Sequence, residues 1–332
     1  MKNLLIIISV LVAGCANRQS TTVHYASFDE SDSLTAISQE IPPIMLYPRN
    51  IFLHDGNIVV FNEKMDTLFQ VFSKEDFSYK YSFGIRGQGP NDFIFPSTQE
   101  AGITERGIAI LDVKTLREIS FHDDSPVIRT NVISAPFEYF NGFIRLNDSL
   151  YCCDAGFEEE HEFMFIYLDG SFKQWGEYPE DIDRLGSKLS RNQAYKKISV
   201  ARPDGKRFAS FYCSQRRCRI YNDSGELLHD VVLDIHPFTE LPDKETNNRY
   251  IHTIAACATE EYIYTLNLDM TVDEISNKKR SPNIQVFSWD GKPLKQYWLD
   301  VYISAFAIDK ERNLIYAIFA EDDSHIYQFE LK

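Results

Sequence analysis

The sequence predicts an all-β fold, a six-bladed β-propeller of four-stranded blades, on three observations. A strand–turn–strand unit recurs six times along the 332 residues. Each unit is followed by a third strand that ends in an aromatic residue near a polar turn. The last unit lacks a fourth strand, and an apolar segment near the start of the chain can supply it.

The first pair of strands reads Phe52-Leu53-His54-Asp55-Gly56-Asn57-Ile58-Val59-Val60-Phe61. It returns at residues 102–111, 143–151, 200–209, 256–264 and 306–316. Asp, Asn and Gly sit between β-branched and aromatic runs, which is the hairpin signal. The third strands carry Phe72, Phe121, Tyr167, Tyr221, Phe287 and Phe329, at successive gaps of 49, 46, 54, 66 and 42 residues. Four-stranded blades repeat at about 40–50 residues, so most gaps fit one blade. The longest gap contains two polar stretches, 237–249 and 269–283, which read as loop insertions. Apolar positions at a 3.6-residue period, the mark of a helical repeat, are almost absent.

In the first unit Tyr79-Lys80-Tyr81-Ser82-Phe83 reads as the fourth strand. In the sixth unit nothing follows the third strand. Ile41-Pro42-Pro43-Ile44-Met45-Leu46-Tyr47, or the residues just upstream, is expected to pair into the last blade. That pairing covers an open edge and closes the ring. The propeller is expected to span 35–332.

Net charge is −15. Binding to nucleic acid needs clustered Lys and Arg, so that class is excluded. The acidic surface favours solubility.

The chain opens Met1-Lys2-Asn3 and continues in an apolar run, Leu4 to Val12, too short to span a bilayer comfortably. A cleavable signal is expected over 1–14. The run ends Val12-Ala13-Gly14-Cys15, which resembles the lipobox of bacterial lipoproteins. That resemblance implies acylation of Cys15 and a membrane held through the anchor, without a spanning segment. The small, polar residues that follow read as a flexible tether over 15–34. They lack the acidic run that resembles a surface-export signal, so the periplasmic face of the outer membrane is the expected location.

One segment is more distinctive: Phe83-Gly84-Ile85-Arg86-Gly87-Gln88-Gly89-Pro90-Asn91-Asp92-Phe93-Ile94-Phe95-Pro96. It resembles the NHL repeat, and more closely the six-bladed TolB-like propeller lipoproteins of Bacteroidetes. There a Gly-x-Arg-Gly-Gln-Gly-Pro-x-Glu-Phe motif follows the first blade. Asn91 and Asp92 replace the Gly and Glu of that pattern. The resemblance implies fold and export; it implies no activity. Two readings stand for the loop. Arg86, Gly87, Gln88 and Gly89 form an anion-binding loop of free amides beside a guanidinium. Alternatively, the glycines turn the chain between blades and Arg86 pairs with Asp92 or a carbonyl. A nucleotide loop is excluded, because no Lys-Ser/Thr pair follows the glycines.

With Cys15 acylated, Cys152, Cys153, Cys213, Cys218 and Cys257 remain, and five thiols cannot all pair within one chain. Cys213 and Cys218 flank a short hairpin turn, where a disulfide and two buried thiols are both compatible with the spacing. Cys152 and Cys153 are neighbours on an expected strand and should face opposite ways. The eight histidines form no close ligand pair, and no metal or other cofactor is expected. Asp269, Asp273 and Glu274 miss calcium-loop spacing and read as a solvated loop. Arg216-Arg217 reads as a solvated turn, and the acidic runs 158–160 and 321–323 as hairpin tips. No Gly-x-Ser-x-Gly elbow is present, and no catalytic residue is assigned.

A propeller offers a broad face and a central mouth, both built from loops. The expected function is a monomeric envelope module that binds a protein, peptide or glycan partner. The alternative is a lyase or lactone hydrolase with a metal or polar site at the central channel.

Overall fold

The structure, a computed structural model, describes residues 22–104, 106–122, 125–133, 142–155, 160–179, 191–236 and 249–332. Cys15, the signal segment, most of the 237–249 stretch and Glu158-Glu159 lie outside the described residues.

Three short strands come first: β1 (Thr22–Tyr25), β2 (Glu30–Leu34) and β3 (Ile37–Glu40). Blade 1 is β4 (Pro48–His54), β5 (Asn57–Asn62), β6 (Thr67–Ser73) and β7 (Tyr79–Ile85). Blade 2 is β8 (Pro96–Thr104), β9 (Gly107–Asp112), β10 (Thr115–Phe121) and β11 (Pro126–Val132). Blade 3 is β12 (Ile144–Arg145), β13 (Leu150–Asp154), β14 (Phe163–Tyr167) and β15 (Phe172–Trp175). A single helical turn, α1 (Arg191–Ala194), leads into blade 4. That blade is β16 (Lys197–Ala201), β17 (Arg207–Tyr212), β18 (Arg217–Asn222) and β19 (Leu227–Leu233). Blade 5 is β20 (Tyr250–Ala258), β21 (Tyr262–Thr271), then α2 (Val272–Ser276), β22 (Asn283–Ser288) and β23 (Pro293–Leu299). Blade 6 is β24 (Ala305–Asp309), β25 (Leu314–Ile318) and β26 (His325–Glu330), with β3 as its outer strand.

β3 pairs antiparallel with β26, Ile37 opposite Gln328 and Glu40 opposite His325. The closing strand is thus the segment just upstream of Ile41–Tyr47. Ile41 and Met45 are themselves buried between blades 6 and 1. All six third-strand aromatics lie on the third strands of their blades.

The core is divided into slabs between neighbouring blades. Each of the six junctions has its own apolar cluster: 1–2, 2–3, 3–4, 4–5, 5–6 and 6–1. Strand alternation supplies this, because each sheet has two faces and each face meets a neighbour. Cys152 falls in the 3–4 slab and Cys153 in the 2–3 slab, on opposite faces as expected. Phe329 is fully buried in the 5–6 slab, and burying such a ring contributes roughly 1.5–3 kcal/mol.

The expected tether over 15–34 is corrected by two strands. β1 adds to blade 4 in parallel with β19, and β2 adds to blade 5 in parallel with β23. Polar residues suffice there, because an added edge strand needs backbone pairing and only one buried contact. Leu34 is the one fully buried side chain, and Tyr25 and Phe28 pack partly buried on the 4–5 slab. Charge pairs hold the rest: Asp29 with Lys292 at 2.7 Å and Glu30 with Lys295 at 2.8 Å. The 269–283 stretch is likewise no simple loop. β21 runs through Thr271, and a reciprocal cap between Thr271 and Glu274 starts α2.

A chain truncated to begin at residue 35 should keep one cooperative thermal transition at reduced temperature. A chain beginning at residue 48 loses β3, Ile41 and Met45, and should lose cooperativity altogether in calorimetry.

Candidate functional site

The connections from strand 4 to strand 1 and the strand 2-to-3 turns emerge at one end of the ring, its front face. The strand 1-to-2 and 3-to-4 turns emerge at the rear. The glycine-rich segment joins β7 to β8 and so lies at the front. Arg86 Nη2 donates to the Glu63 carbonyl at 2.7 Å. The Gly87 amide donates to the Phe93 carbonyl at 3.1 Å, and the Gly89 amide to Asp92 Oδ2 at 2.9 Å. The Gly87 and Gly89 amides are thus occupied within the loop, and Gln88 is exposed. A Cβ at Gly87 would fall 2.3 Å from Asp92 Oδ2 and would displace that carboxylate, while Gly84 takes a φ of +80° that favours glycine. Two residues that the sequence did not single out hold the segment from beneath. Arg117 donates to the carbonyls of Pro90 (2.8 Å) and Asp92 (2.7 Å). Asp112 accepts from the amides of Ile94 (3.0 Å) and Phe95 (2.6 Å). The glycines therefore shape a turn, and they hold Arg86 at the wall of a cleft.

That cleft, about 180 Å³, lies between blades 1 and 2 and is lined by Arg49, Phe61, Glu63, Arg86, Phe95 and residues 96–98. Arg49 Nε meets Glu63 Oε2 at 3.0 Å. Phe95 stands 70% exposed at its rim.

A second front-face feature is a buried ion network in blades 3 and 4. Lys197 Nζ lies 3.0 Å from Asp154 and 3.6 Å from Glu162. Tyr212 Oη donates to Glu162 at 2.7 Å. Arg217 grips Asp230 with two donors, at 2.7 and 2.5 Å, and Arg219 bridges Asp230 and Glu162. Three cations thus face three carboxylates, as burial demands. Burial opposes the Lys197 charge, but Asp154 and Glu162 outweigh it and hold the ammonium above its usual range. Burial pushes the Glu162 carboxyl up, against the pull of Lys197, Tyr212 and Arg219.

Beside it, between blades 4 and 5, Asp269 accepts from His252 Nδ1 at 2.8 Å and pairs with Arg216 at 3.1 Å. Asn283 and Gln285 donate to its other oxygen at 3.1 and 3.2 Å. The expected solvated loop at Asp269 and solvated turn at Arg216-Arg217 are corrected: all three residues are buried. Burial would raise the Asp269 carboxyl, but His252, Arg216 and Asn283 hold it below the usual range. Because the carboxylate only accepts, His252 carries a proton on Nδ1. The adjoining cavity measures about 20 Å³, room for about one water molecule and no organic substrate.

Of the two readings for Cys213 and Cys218, the structure has the buried thiols. Cys213 and Cys218 are free, buried thiols, because Cys218 pairs across the ladder with Phe211 and not with Cys213. Burial pushes the Cys213 thiol up to about 11. At the rear, the central channel opens into a cavity of about 150 Å³ lined mainly by small and apolar residues such as Gly102, Ile144, Ser199 and Ala256. A cleft of about 280 Å³ between blades 5 and 6 is lined by Tyr262, Tyr264, Tyr297 and Lys295, among others. Among the described residues no group of three His, Cys, Asp or Glu side chains is placed to hold a metal ion.

The sequence matches the TolB-like 6-blade propeller-like family over residues 27–195 and 246–311, more than half of the chain. The chain belongs to the TolB-like propellers. The matched residues of this TolB-like propeller omit 196–245, which is blade 4. Lys197, Arg216, Arg217 and Arg219 therefore lie outside the family pattern. No curated protein matches the sequence. Several solved structures share the fold. A candidate exported protein of Bacteroides fragilis is 11% identical, TM-score 0.56, covering 92% of this chain and 100% of that one. A member of the DUF4221 family from Bacteroides vulgatus is 11% identical, TM-score 0.58, covering 90% and 96%. The WD40 repeats of RRP9 are 8% identical, TM-score 0.52, covering 89% and 97%.

Replacing Asp269 by Asn leaves Arg216 without its charge partner and should lower stability at neutral pH by about 3–5 kcal/mol, as for other broken buried pairs. The sign of its pH dependence follows from the lowered carboxyl. The stability that Asp269 contributes is complete above its ordinary value of 3.8 and is lost as pH falls below it. Urea titrations at pH 7 and pH 3 should therefore show a smaller acid loss in Asp269→Asn than in the parent.

Proposed function

We propose that this TolB-like propeller is a lipid-anchored binding module of the cell envelope whose front face takes a protein or peptide partner. The observation that carries the reading is a run of exposed apolar side chains on three successive strand 4-to-1 connections. Ile44 and Leu46 lie between blades 6 and 1. Ile85, Ile94 and Phe95 lie between blades 1 and 2, and Val132 leads from blade 2. Scattered apolar residues on a surface need no explanation, but a series on one face does. The 180 Å³ cleft in their midst adds Arg49 and Arg86 beside Phe61 and Phe95. Aromatic and arginine side chains together are the composition of interface anchors.

The anchor is Cys15, acylated after removal of residues 1–14, and the location is the periplasmic face of the outer membrane. The run Val12-Ala13-Gly14-Cys15 supports this reading. So does the exported character given for the Bacteroides fragilis relative in fold. The module acts as a monomer.

A photo-crosslinking residue at position 95, in cells, should trap a discrete protein adduct, and one at Trp298 on the outer rim should not. Equal patterns from both positions would refute the front-face site. Phe95→Arg should abolish capture with an unchanged melting temperature. Cys15→Ser should move the chain from the membrane to the soluble fraction.

A further inference from the structure

The glycine-rich segment places one charge that its own turn does not neutralise. Arg86 forms an isolated bridge with Phe93. The Phe93 amide donates to the Ile85 carbonyl at 2.9 Å, and the Gly87 amide returns to the Phe93 carbonyl at 3.1 Å. With Arg117 and Asp112 gripping the same stretch, the backbone that carries Arg86 is fixed before any partner arrives. The Arg86 side chain is exposed, and its one hydrogen-bond acceptor is the Glu63 carbonyl. Among the described residues no carboxylate lies within ion-pair distance of it.

Its surroundings collect positive charge on a chain whose net charge is −15. Arg49, on the first strand of blade 1, meets Glu63 with both side chains almost half exposed. Lys64 Nζ stands 4.1 Å from the centre of the Tyr47 ring. Among the described residues, Glu63 is the only carboxylate paired with any of these three cations. The cleft itself is lined by two guanidinium groups and one carboxylate, which leaves a single positive charge. That balance suits a monoanion. A carboxylate matches the planar guanidinium fork, while Glu63 opposes the second charge of a phosphate. Asn50 Nδ2 donates to the Thr98 carbonyl and joins the first strands of blades 1 and 2, so the two walls are fixed relative to each other. Exposed Ile85, Ile94 and Phe95 lie beside the charge. Charge with apolar contact next to it fits an acidic group set among apolar residues of a polypeptide.

We propose that the cleft between blades 1 and 2 recognises a carboxylate of the partner polypeptide, bound between Arg49 and Arg86 with an adjoining apolar side chain against Phe95. This deepens the front-face reading above and rests on it. The carboxylate is the side chain of Asp or Glu or the C-terminus of the partner, since both present the same planar pair of oxygens.

The test starts from an aromatic photo-crosslinking residue at position 95 of the full chain in cells. Arg86→Gln and Arg49→Gln should each lower the adduct roughly tenfold with an unchanged melting temperature. Arg86→Lys, which keeps the charge and loses the fork, should restore part of it. Glu63→Gln removes the competing carboxylate and should raise the adduct, whereas mere disturbance of the loop would lower it. The source of the carboxylate is read on arrays of random hexapeptides, printed once with free C-termini and once as amides, and probed with the purified full chain. Bound amides enriched in Asp or Glu assign a side chain; binding confined to free C-termini assigns the terminus. Bound peptides without preference for an acid, or an adduct that both arginine variants leave unchanged, would overturn carboxylate recognition and leave the front-face site standing. A parent chain that yields no adduct at position 95 would remove the front-face reading, and this proposal with it.

Discussion

Everything in this molecule depends on apolar contact between neighbouring sheets. No blade has a core of its own; each contributes half of two slabs. A slab such as that between blades 1 and 2, built from Phe52, Phe69, Phe83, Phe93 and Ile119, exists only while both blades are in place. The ring therefore needs all six junctions, and the junction between blades 6 and 1 is the one the chain cannot make by simple succession. β3 solves this by joining the last blade before the chain goes on to build the first. Ile41 and Met45 then fill the closing slab.

Charge is placed differently on the two sides of the front face. At the front, blades 3 to 5 bury Lys197, Arg216, Arg217 and Arg219 against Asp154, Glu162, Asp230 and Asp269. A paired cluster of this kind costs desolvation and returns geometry, since Lys197, Arg219, Glu162, Asp230 and Asp269 each meet more than one partner. The front of blades 6, 1 and 2 instead exposes apolar side chains beside Arg49 and Arg86. One side of the front face is thus stiffened by internal ion pairs, and the other carries the exposed apolar residues. The family match covers blades 1, 2, 3 and 5 and leaves out blade 4 and the strands β25 and β26 of blade 6.

Much of the fold was legible because strands that bury both faces write long apolar and aromatic runs, and turns write Asp, Asn and Gly. Phe72, Phe121, Tyr221, Phe287 and Phe329 were readable for that reason. The added strands β1 and β2 were not, because an edge strand exposed on one side has the composition of a linker. Arg117 and Asp112 show why the site was harder. Their strands alternate correctly, and nothing local marks a charge as buried and partnered by a loop some 17 to 27 residues distant. Asp269 was misread for a related reason. Its partner His252 comes from the neighbouring strand of blade 5, and Arg216 from the β17–β18 turn of blade 4, which only the stacking of the two blades brings near.

The strap formed by residues 22–40 sets the order of assembly. Thr22 touches Asp230, Ala36 touches Asp300, and Ser33 accepts from Lys332 across 299 positions. The first strands to emerge during synthesis are therefore the last that can be satisfied. Contacts this distant in sequence are slow to form and leave strand edges open meanwhile. The leading segment finds its partners only once blades 4, 5 and 6 are complete, so the ring is locked last.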